Sequence, residues 1–399
     1  MLTCGFAFLC VGVMTVDISS AQCARFGNPA YLAQALQSCR NKTLALLDAY
    51  AQALGNDLTV PYSAQLNPPR WEAGHIAWFQ DYWTGRNRQR QKVIACDPQH
   101  ERPEGCLPGA DNWYDSSHVV HSSRWTLPLP DLSATRDYME TVLQHTLSAL
   151  ELDANQGGDL YFYRLVLFHE DMHAEASVYM AQALGLHLPY ELQPQKPAAG
   201  IFKQLSFPAT RHIQGWNDTD GFAFDNELPV HEVELDAFDI DSQPLTWRRF
   251  LPAVEVGAVT LPRYLRREGR RWQACRFGLW KDLDMDDTAV HINWHQAQAW
   301  CRWAKRRLPT ETEWEFAALN HPDFEWGHAW EWTADRFTAF DGFQPHPYRD
   351  YSRFGLESPC QVLKGACRAT DARMAHPRYR NFFAPDRDDI FAGFRTCAL

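Results

Sequence analysis

The stretch from about Asp159 to Leu184 constrains the fold more than any other segment, because it lacks proline and repeats apolar residues at helical spacing. A helix here places His169 and His173, four positions apart, on one face, where both imidazoles can bind one metal ion. The local pattern H-E-x-x-H also occurs in zinc hydrolases, with Glu170 in the position of the general base. The stretch therefore predicts a metal-binding helix and leaves the metal and the chemistry open.

Three earlier segments also carry apolar residues at helical spacing: 28–54, 70–83 and 131–152. Gly55 is the expected stop of the first helix, and Ser133 is the expected N-cap of the third. The second helix carries His75 among large aromatic residues, and such a histidine is more often a core residue than a ligand. With His169 and His173 available on another helix, His75 becomes the candidate third ligand.

A long connection, residues 85–130, joins the second and third helices, and its aromatic residues predict an ordered wall of the site. Four helices with one long crossover predict an antiparallel bundle that holds a metal in its interior or at its mouth. Around 193–200 the composition changes to a linker rich in proline, glutamine and alanine.

After the linker, short strand-like runs such as 230–235 alternate with loops, and one clear helix spans 294–305. A length of 399 residues favours two domains. The sequence therefore predicts an α+β protein, with a four-helix bundle over 25–194 and a mixed domain over 195–399.

The composition limits the possible partners. A net charge of -11, without a basic stripe, argues against nucleic-acid binding. The apolar run Leu2–Val16 is too short to span a bilayer and lacks the positive flank of a signal peptide, so no membrane partner is expected. Residues 1–24 are predicted to be a disordered leader or to follow a misassigned start.

Eleven cysteines are scattered without a C-x-x-C pair. An odd number of unclustered cysteines favours free thiols in a reducing cytoplasm and argues against a cysteine-type zinc site. The expected state is a monomer or a weak homo-oligomer.

The second half resembles the formylglycine-generating-enzyme-like (sulfatase-modifying factor) fold, a C-type-lectin-like mixed domain. The segments that carry this resemblance follow one another over about 180 residues: Gly221–Glu227, Asn293–Ala318, Ala329–Thr333, Val362–Gly365 and Gly393–Arg395. Formylglycine-generating enzymes use a cysteine pair near the C-terminus. This chain has no convincing counterpart, which argues against that activity.

The first half resembles the DinB-like bundle that is fused to this fold in ergothioneine-type sulfoxide synthases, the EgtB family. In that family a W-x-x-x-H helix and an H-x-x-x-H helix supply a three-histidine iron site, and Trp71 to His75 and His169 to His173 match both patterns. The resemblance implies an Fe(II) enzyme that consumes O2 and acts on hercynine. Three imidazoles leave three positions of an octahedral ion open, enough for two substrates and O2.

Within the family the chain looks most similar to the selenoneine synthase branch, on Tyr114–Ser117, Arg124–Trp125 and Phe168–His173. Glutamylcysteine users carry an aspartate where Phe383 stands, and the family often has glutamine at the position of Met172. The resemblance therefore implies C–Se bond formation between hercynine and a selenosugar. The alternative is a sulfoxide synthase that takes cysteine or glutamylcysteine.

The resemblance also implies roles for individual residues. Tyr348 matches a proton donor near the metal, and Tyr351 matches a residue that helps to bind the betaine. The other implied substrate-binding residues belong to the C-terminal segment or are aromatic or cationic: Asn381, Phe382, Phe383, Arg387, Met172, Arg124 and Trp330. Aromatic faces suit the fixed cation of hercynine. The two arginines could grip a carboxylate or a sugar hydroxyl, or form salt bridges.

Two readings from other classes remain open. A zinc hydrolase built on His169, Glu170 and His173 would need Glu170 as its base, whereas the iron enzyme would use Glu170 as a partner that holds a ligand histidine. A ligand-binding module on the lectin-like fold would need no catalytic Tyr348.

Overall fold

The computed structural model describes residues 19–196, 200–217 and 221–399. Its architecture is α+β, with a helical first half and a mixed second half, as predicted. Residues 1–18 of the predicted leader lie outside the described residues. Residues 19–24 belong to helix α1 (Ser19–Phe26), so the prediction of disorder is wrong for them. Buried Arg25 explains the order of this helix, because its guanidinium pairs with Glu227 of the second half at 2.8 Å.

Four long helices form the bundle: α2 (Pro29–Leu54), α3 (Pro69–Gln80), α5 (Leu132–Asn155) and α6 (Tyr161–Leu184). Helix α3 continues as a π-helical turn, Asp81–Gly85. The long connection contains the short helix α4 (Ala110–Tyr114) and two 3₁₀ turns, Arg90–Ala95 and His121–Trp125. Another 3₁₀ turn, Tyr190–Leu192, follows α6. No described helix combines the length and the apolar composition that crossing a membrane requires.

The helix starts follow side-chain capping. The Asn28 side chain accepts a hydrogen bond from the amide of Tyr31 at 2.9 Å, which starts α2 at the predicted place. The N-cap of α5 is Asp131, whose carboxylate accepts from the amide of Ala134 at 2.8 Å. The prediction of Ser133 as this cap is wrong, because Ser133 already lies within the first helical turn.

The described part of the second half contains eleven short strands: β1 (Gln204–Phe207), β2 (Thr210–Gln214), β3 (His231–Leu235), β4 (Phe238–Asp241), β5 (Leu265–Glu268), β6 (Arg271–Arg276), β7 (Leu279–Asp282), β8 (Ala329–Arg336), β9 (Gln361–Ala366), β10 (Asn381–Phe383) and β11 (Ala392–Gly393). The largest sheet has the order β10-β9-β8-β11, in which only β11 runs parallel to its neighbour. Strands β1 and β4, strands β2 and β3, and strands β5 to β7 form three smaller antiparallel sheets.

Four helices and one 3₁₀ turn accompany these strands: α7 (Trp247–Glu255), α8 (Trp294–Ala304), α9 (Glu311–Asn320), α10 (Asp350–Glu357) and Asp225–Glu227. Helix α8 starts with a capping box between Asn293 and Gln296. It ends one residue before the predicted limit, because Lys305 adopts a left-handed conformation with φ 54°.

Helix α6 belongs to the cores of both halves. Asp171 pairs with Arg373 of the second half at 2.7 Å, and Gln182 accepts a hydrogen bond from the amide of Phe277 at 2.8 Å. The Tyr161 hydroxyl is hydrogen-bonded to Nδ1 of His346 at 2.9 Å. These links hold the second half against the helix that carries the H-E-x-x-H pattern.

Candidate metal centre

Three histidines from two helices converge at one point. His75 comes from α3, whereas His169 and His173 come from α6, and one nitrogen of each ring lies within 4.8 Å of the others. The Nε2 atoms of His169 and His173 are 3.2 Å apart. His75 and His169 are each only 3% exposed. The structure therefore brings together the three residues that the sequence analysis selected as ligands.

Neighbouring groups set the tautomer of two of these rings. Nδ1 of His75 donates a hydrogen bond to the carbonyl oxygen of Tyr114 at 2.7 Å, and Nδ1 of His173 donates to the Glu72 carboxylate. Both partners only accept, so the proton of each neutral ring is on Nδ1. The Nε2 lone pairs are therefore free for a metal, which is the usual arrangement of ligand histidines in proteins.

Electrostatics keeps the cluster in its metal-binding form. Burial, together with the nearby His173, lowers the pKa of His75 to about 3. Burial likewise lowers the pKa of His169 well below its usual range. Burial raises the pKa of Glu72, but the nearby imidazoles of His173 and His75 and the hydrogen bonds from His173 and Asn67 outweigh this effect, so that its pKa is about 2. Neutral imidazoles beside an ionised carboxylate favour a divalent cation.

The residues present fit a first-row divalent metal ion. Imidazole nitrogens suit iron, zinc and copper alike, so the donor set does not discriminate among these ions. Among the described residues, the cluster around His75, His169 and His173 contains no carboxylate that could act as a fourth ligand. The arrangement leaves open positions on a bound ion.

Glu170 does not take part in this site. Its carboxylate pairs with Arg40, at 2.8 Å from Nε and 3.0 Å from the second nitrogen, and both residues are buried. The prediction that Glu170 holds a ligand histidine is therefore wrong. Glu72 lies at that place instead, because it is three positions before His75 and its carboxylate accepts the hydrogen bond from Nδ1 of His173. The engagement of Glu170 by Arg40 also counts against its use as the base of a zinc hydrolase.

Aromatic rings enclose the cluster. The Trp71 ring stacks on His75 at 4.7 Å, and the Phe79 ring stacks on His169 at 3.5 Å with an interplanar angle of 6°. Phe79 is 1% exposed and Trp71 is equally buried. This wall excludes bulk water from the bundle side of the ligands.

Tyr348, the predicted proton donor, lies at the edge of the cluster. Its ring centroid is 6.1 Å from that of His169 and 4.7 Å from that of Phe79. Burial raises the pKa of Tyr348 above its usual value, so the hydroxyl keeps its proton at neutral pH. The catalytic role stays a prediction.

The second tyrosine of the pair belongs to a hydrogen-bonded chain. The Tyr351 hydroxyl is 2.9 Å from the hydroxyl of Tyr379, which in turn donates to Sδ of Met172 at 3.5 Å. Met172 directly precedes the ligand His173. Tyr351 and Met172, both predicted to bind substrate, are thus linked through Tyr379, which the sequence analysis did not select.

Trp330 also lies on this side of α6. Its indole N–H donates to the carboxylate of Glu175 at 2.6 Å, and its ring centroid is 5.7 Å from that of Tyr379. Trp330 is 2% exposed. This hydrogen bond fixes the indole ring of Trp330 against Glu175, which lies two residues after His173 on α6. A contact of Trp330 with substrate stays a prediction.

The predicted substrate-binding residues of the C-terminal segment lie on an edge strand and in the loop after it. Asn381, Phe382 and Phe383 form β10, at the edge of the largest sheet. The Phe382 ring lies 6.2 Å from the Tyr351 ring. Arg387 forms a two-point ion pair with Asp389 at 2.6 and 2.8 Å, and its guanidinium lies 4.9 Å from the centre of the Phe383 ring.

Arg124 supports the wall of the cluster. Its guanidinium lies 3.9 Å from the centre of the Trp71 ring, on which it stacks, and donates to Oδ1 of Asn67 at 2.7 Å. Asn67 in turn donates to Glu72 at 2.5 Å. Arg124 thus acts on the site through Trp71 and Glu72, and direct contact with a substrate stays a prediction.

Three supporting residues escaped the sequence analysis: Glu72, Phe79 and Tyr379. Glu72 carried a readable signal, because it is three positions before His75 and shares its helix face. Phe79, four positions after His75, carried the same kind of signal. Tyr379 had none, since only the packing of the second half brings it to Met172.

Comparison with known proteins agrees with this architecture. Residues 195–328 match the family of sulfatase-modifying factor enzyme 1-like domains. The formylglycine-generating enzyme of Streptomyces coelicolor is 30% identical over 31% of this chain and 50% of that protein. This similarity is confined to about a third of the chain.

Two other relatives are similar over almost the whole length. The hercynine oxygenase of Mycolicibacterium thermoresistibile is 28% identical over 92% of this chain and 94% of that protein. That of Mycobacterium tuberculosis is 26% identical over 92% of this chain and 98% of that protein. Together with the domain match, these similarities support the EgtB-like family and an enzyme of the oxygenase or sulfoxide-synthase type.

Proposed function

We propose that this protein is an Fe(II)-dependent enzyme that uses O2 to join the imidazole ring of hercynine to a selenosugar, which forms a C–Se bond and a selenoxide. The observation that carries the proposal is the convergence of His75, His169 and His173 with their metal-binding nitrogens within 4.8 Å. The similarity to hercynine oxygenases over nine-tenths of the chain supports hercynine as the first substrate.

The three histidines would hold the iron. Bound Fe(II) supplies the open coordination positions and the one-electron chemistry that O2 needs before it reacts with a chalcogen. The Tyr114 carbonyl and the Glu72 carboxylate fix the rings of His75 and His173 for this purpose. Trp71 and Phe79 keep water away from the bundle side of the site.

Tyr348 would donate a proton from its hydroxyl at the open side of the cluster. The raised pKa keeps this proton in place until an acceptor of higher basicity arrives. The packing of its ring against Phe79 at 4.7 Å orients the hydroxyl without an ionic partner.

The trimethylammonium group of hercynine cannot accept hydrogen bonds, so aromatic faces are its natural partners. Tyr351 and Phe382, whose ring centroids are 6.2 Å apart, present two such faces. Tyr379 is hydrogen-bonded to the hydroxyl of Tyr351 and to Met172, which lies on α6 between His169 and His173. We place the betaine of hercynine on this side.

The choice of donor rests on Phe383. Glutamylcysteine users carry a carboxylate at this position, and the apolar ring of Phe383 removes it. Arg387 is already paired with Asp389. The alternative remains an ergothioneine-type sulfoxide synthase that takes cysteine or glutamylcysteine. The nine cysteines within the described residues are free thiols, which suits the reducing cytoplasm in which we place the enzyme.

Anaerobic loading with Fe(II), followed by O2 and hercynine with competing donors, tests the proposal. The donors are a selenosugar, cysteine and glutamylcysteine, and mass spectrometry identifies the products. We expect a selenium-containing hercynine adduct that requires Fe(II) and O2. Adducts from a thiol alone would move the protein to the sulfur branch, and no O2-dependent adduct from any donor would overturn the proposal.

A further inference from the structure

A cavity of about 300 Å³ lies beside the cluster of His75, His169 and His173, between the long connection of the bundle and the start of α10. Its inner end is formed by Phe79 and Tyr348, the two rings that adjoin His169. We propose that this cavity binds the sugar part of the chalcogen donor. The inference rests on the proposed function and assigns residues to its second substrate.

One side of the cavity is aromatic. Besides Phe79 and Tyr348, Trp78, Tyr82 and Trp83 contribute to this side. The ring centroids of Trp78 and Tyr82 are 5.0 Å apart, and those of Tyr82 and Trp83 are 5.1 Å apart. Extended aromatic faces suit the apolar C–H face of a pyranose ring, and such rings contribute large contact areas.

The polar part of the lining comes from two segments. Asp115, Ser117 and His118 follow α4, whereas Asp350 and Arg353 belong to α10. Each hydroxyl of a sugar both donates and accepts, so it needs carboxylates and cationic or hydroxyl donors side by side. This wall offers both kinds of group within one cavity.

The polar groups are already ordered by one another. Asp115 accepts from the amide of Ser117 at 2.9 Å and from Nδ1 of His118 at 2.7 Å. Asp350 accepts from the hydroxyl of Ser117 and pairs with Arg353 at 2.5 Å. A carboxylate has about four acceptor sites, so both aspartates retain sites for ligand hydroxyls. The connection and α10 thus form one preorganised wall.

The charged residues of the lining balance one another. Asp115 and Asp350 line the cavity together with Arg349 and Arg353, and Arg353 is paired with Asp350. A lining without net charge suits a neutral polyhydroxylated group. With the anomeric carbon at the inner end, the chalcogen would lie next to Phe79 and Tyr348, the two rings that adjoin His169.

The test measures binding apart from turnover. The probe is 1-thio-β-D-glucose, titrated calorimetrically into the full-length protein without iron, alongside steady-state kinetics of the iron-loaded enzyme with the selenosugar. Asp115→Asn and Ser117→Ala change the polar wall, and Asp323→Asn, an exposed partner of Lys203 in the second half, is the matched control. Circular dichroism and Fe(II) titration confirm that each variant is folded and holds metal.

We expect Asp115→Asn and Ser117→Ala to raise the probe Kd and the selenosugar KM about tenfold, which corresponds to about 1.4 kcal/mol. The KM for hercynine and the control variant should change less than about twofold. Wild-type protein that shows no saturable binding of the sugar probe, or folded variants with an unchanged selenosugar KM, would overturn the inference.

Failure of the proposed function has a different signature. One outcome is that the wild type binds the sugar probe and Asp115→Asn weakens this binding, although no donor is turned over. This result would support the sugar site and overturn the proposed reaction. If only cysteine or glutamylcysteine is turned over and the probe does not bind, the sulfur branch is supported and the sugar site is overturned.

Discussion

Nδ1 of His173, on α6, donates a hydrogen bond to the carboxylate of Glu72, on α3. The bond joins two helices of the bundle at the point where they supply ligands. It sets the tautomer of His173 and compensates a buried negative charge, since Glu72 is 5% exposed. The helix pairing of the bundle and the chemistry of the site are therefore coupled through one carboxylate.

Glu72→Gln should weaken Fe(II) binding about 10- to 100-fold, because the partner of His173 loses its charge while its size is kept. Anaerobic titration with Fe(II) measures this affinity. Glu140→Gln, on the exposed face of α5, is the control and should bind as the wild type does. An Fe(II) affinity of the Glu72 variant equal to that of the control would contradict the assigned role.

Glu170→Gln and His75→Ala should separate stability from metal binding. Glu170→Gln leaves the buried Arg40 without its counter-charge and should lower the free energy of unfolding by about 3 kcal/mol. The folded fraction should retain its Fe(II) affinity and O2-dependent turnover. His75→Ala should abolish metal binding at a smaller cost in stability.

Urea unfolding and metal titration of the two variants provide the measurement. A Glu170→Gln protein that is as stable as the wild type but inactive would indicate a direct chemical role for this carboxylate. That result would favour the hydrolase.

Tyr348→Phe should retain the metal and both substrates but lower the rate of O2-dependent turnover about 100-fold or change the product, because general acids contribute on this scale. The phenyl ring preserves the packing on Phe79. Single-turnover mixing with O2 measures the rate, and Tyr62→Phe, at a residue 59% exposed, is the control. Unchanged kinetics would remove Tyr348 from the mechanism.

Arg25→Met should destabilise the protein by about 3–5 kcal/mol, since it leaves the fully buried Glu227 unpaired between the two halves. Arg248→Met breaks an exposed pair with Asp286 and should leave the stability close to that of the wild type, because water screens this pair. Chemical denaturation compares the two. Equal stabilities would show that α1 does not hold the halves together.

Asp225 predicts a pH dependence of stability. Burial raises its pKa to about 6, although Ser352 and the backbone of His346 donate hydrogen bonds to it. The folded state therefore keeps the proton longer than the unfolded state does. The stabilisation that protonated Asp225 provides is therefore fully present below about pH 4 and is lost as the pH rises through about 6. The free energy of unfolding should change by about 2–3 kcal/mol over this range.

Asp225→Asn removes this titration. The stability difference between the variant and the wild type, measured by urea unfolding from pH 4 to pH 7, should shift in favour of the variant as the pH rises. A difference that is constant over this range would mean that Asp225 titrates normally in the folded state.

The sequence by itself determined the local elements and the choice of candidate ligands. Apolar periodicity predicted α2 and α6 to within two residues and α3 to within three, because helix spacing and caps are encoded within a few positions. The spacing of His169 and His173 placed them on one face for the same reason. The predicted division at residues 194 and 195 stays a prediction, although the matched domain begins at residue 195.

Tertiary structure decided which carboxylate lies beside the candidate metal centre. Glu170 and Glu72 each lie three positions before a candidate ligand, His173 and His75 respectively. The packing of α2 and α3 against α6 brings Arg40 to Glu170 and His173 to Glu72. It also decided that Tyr379 meets Met172, 207 residues away in the chain. Contacts of this kind depend on how whole elements pack, because side-chain partners far apart in sequence leave no periodic signal.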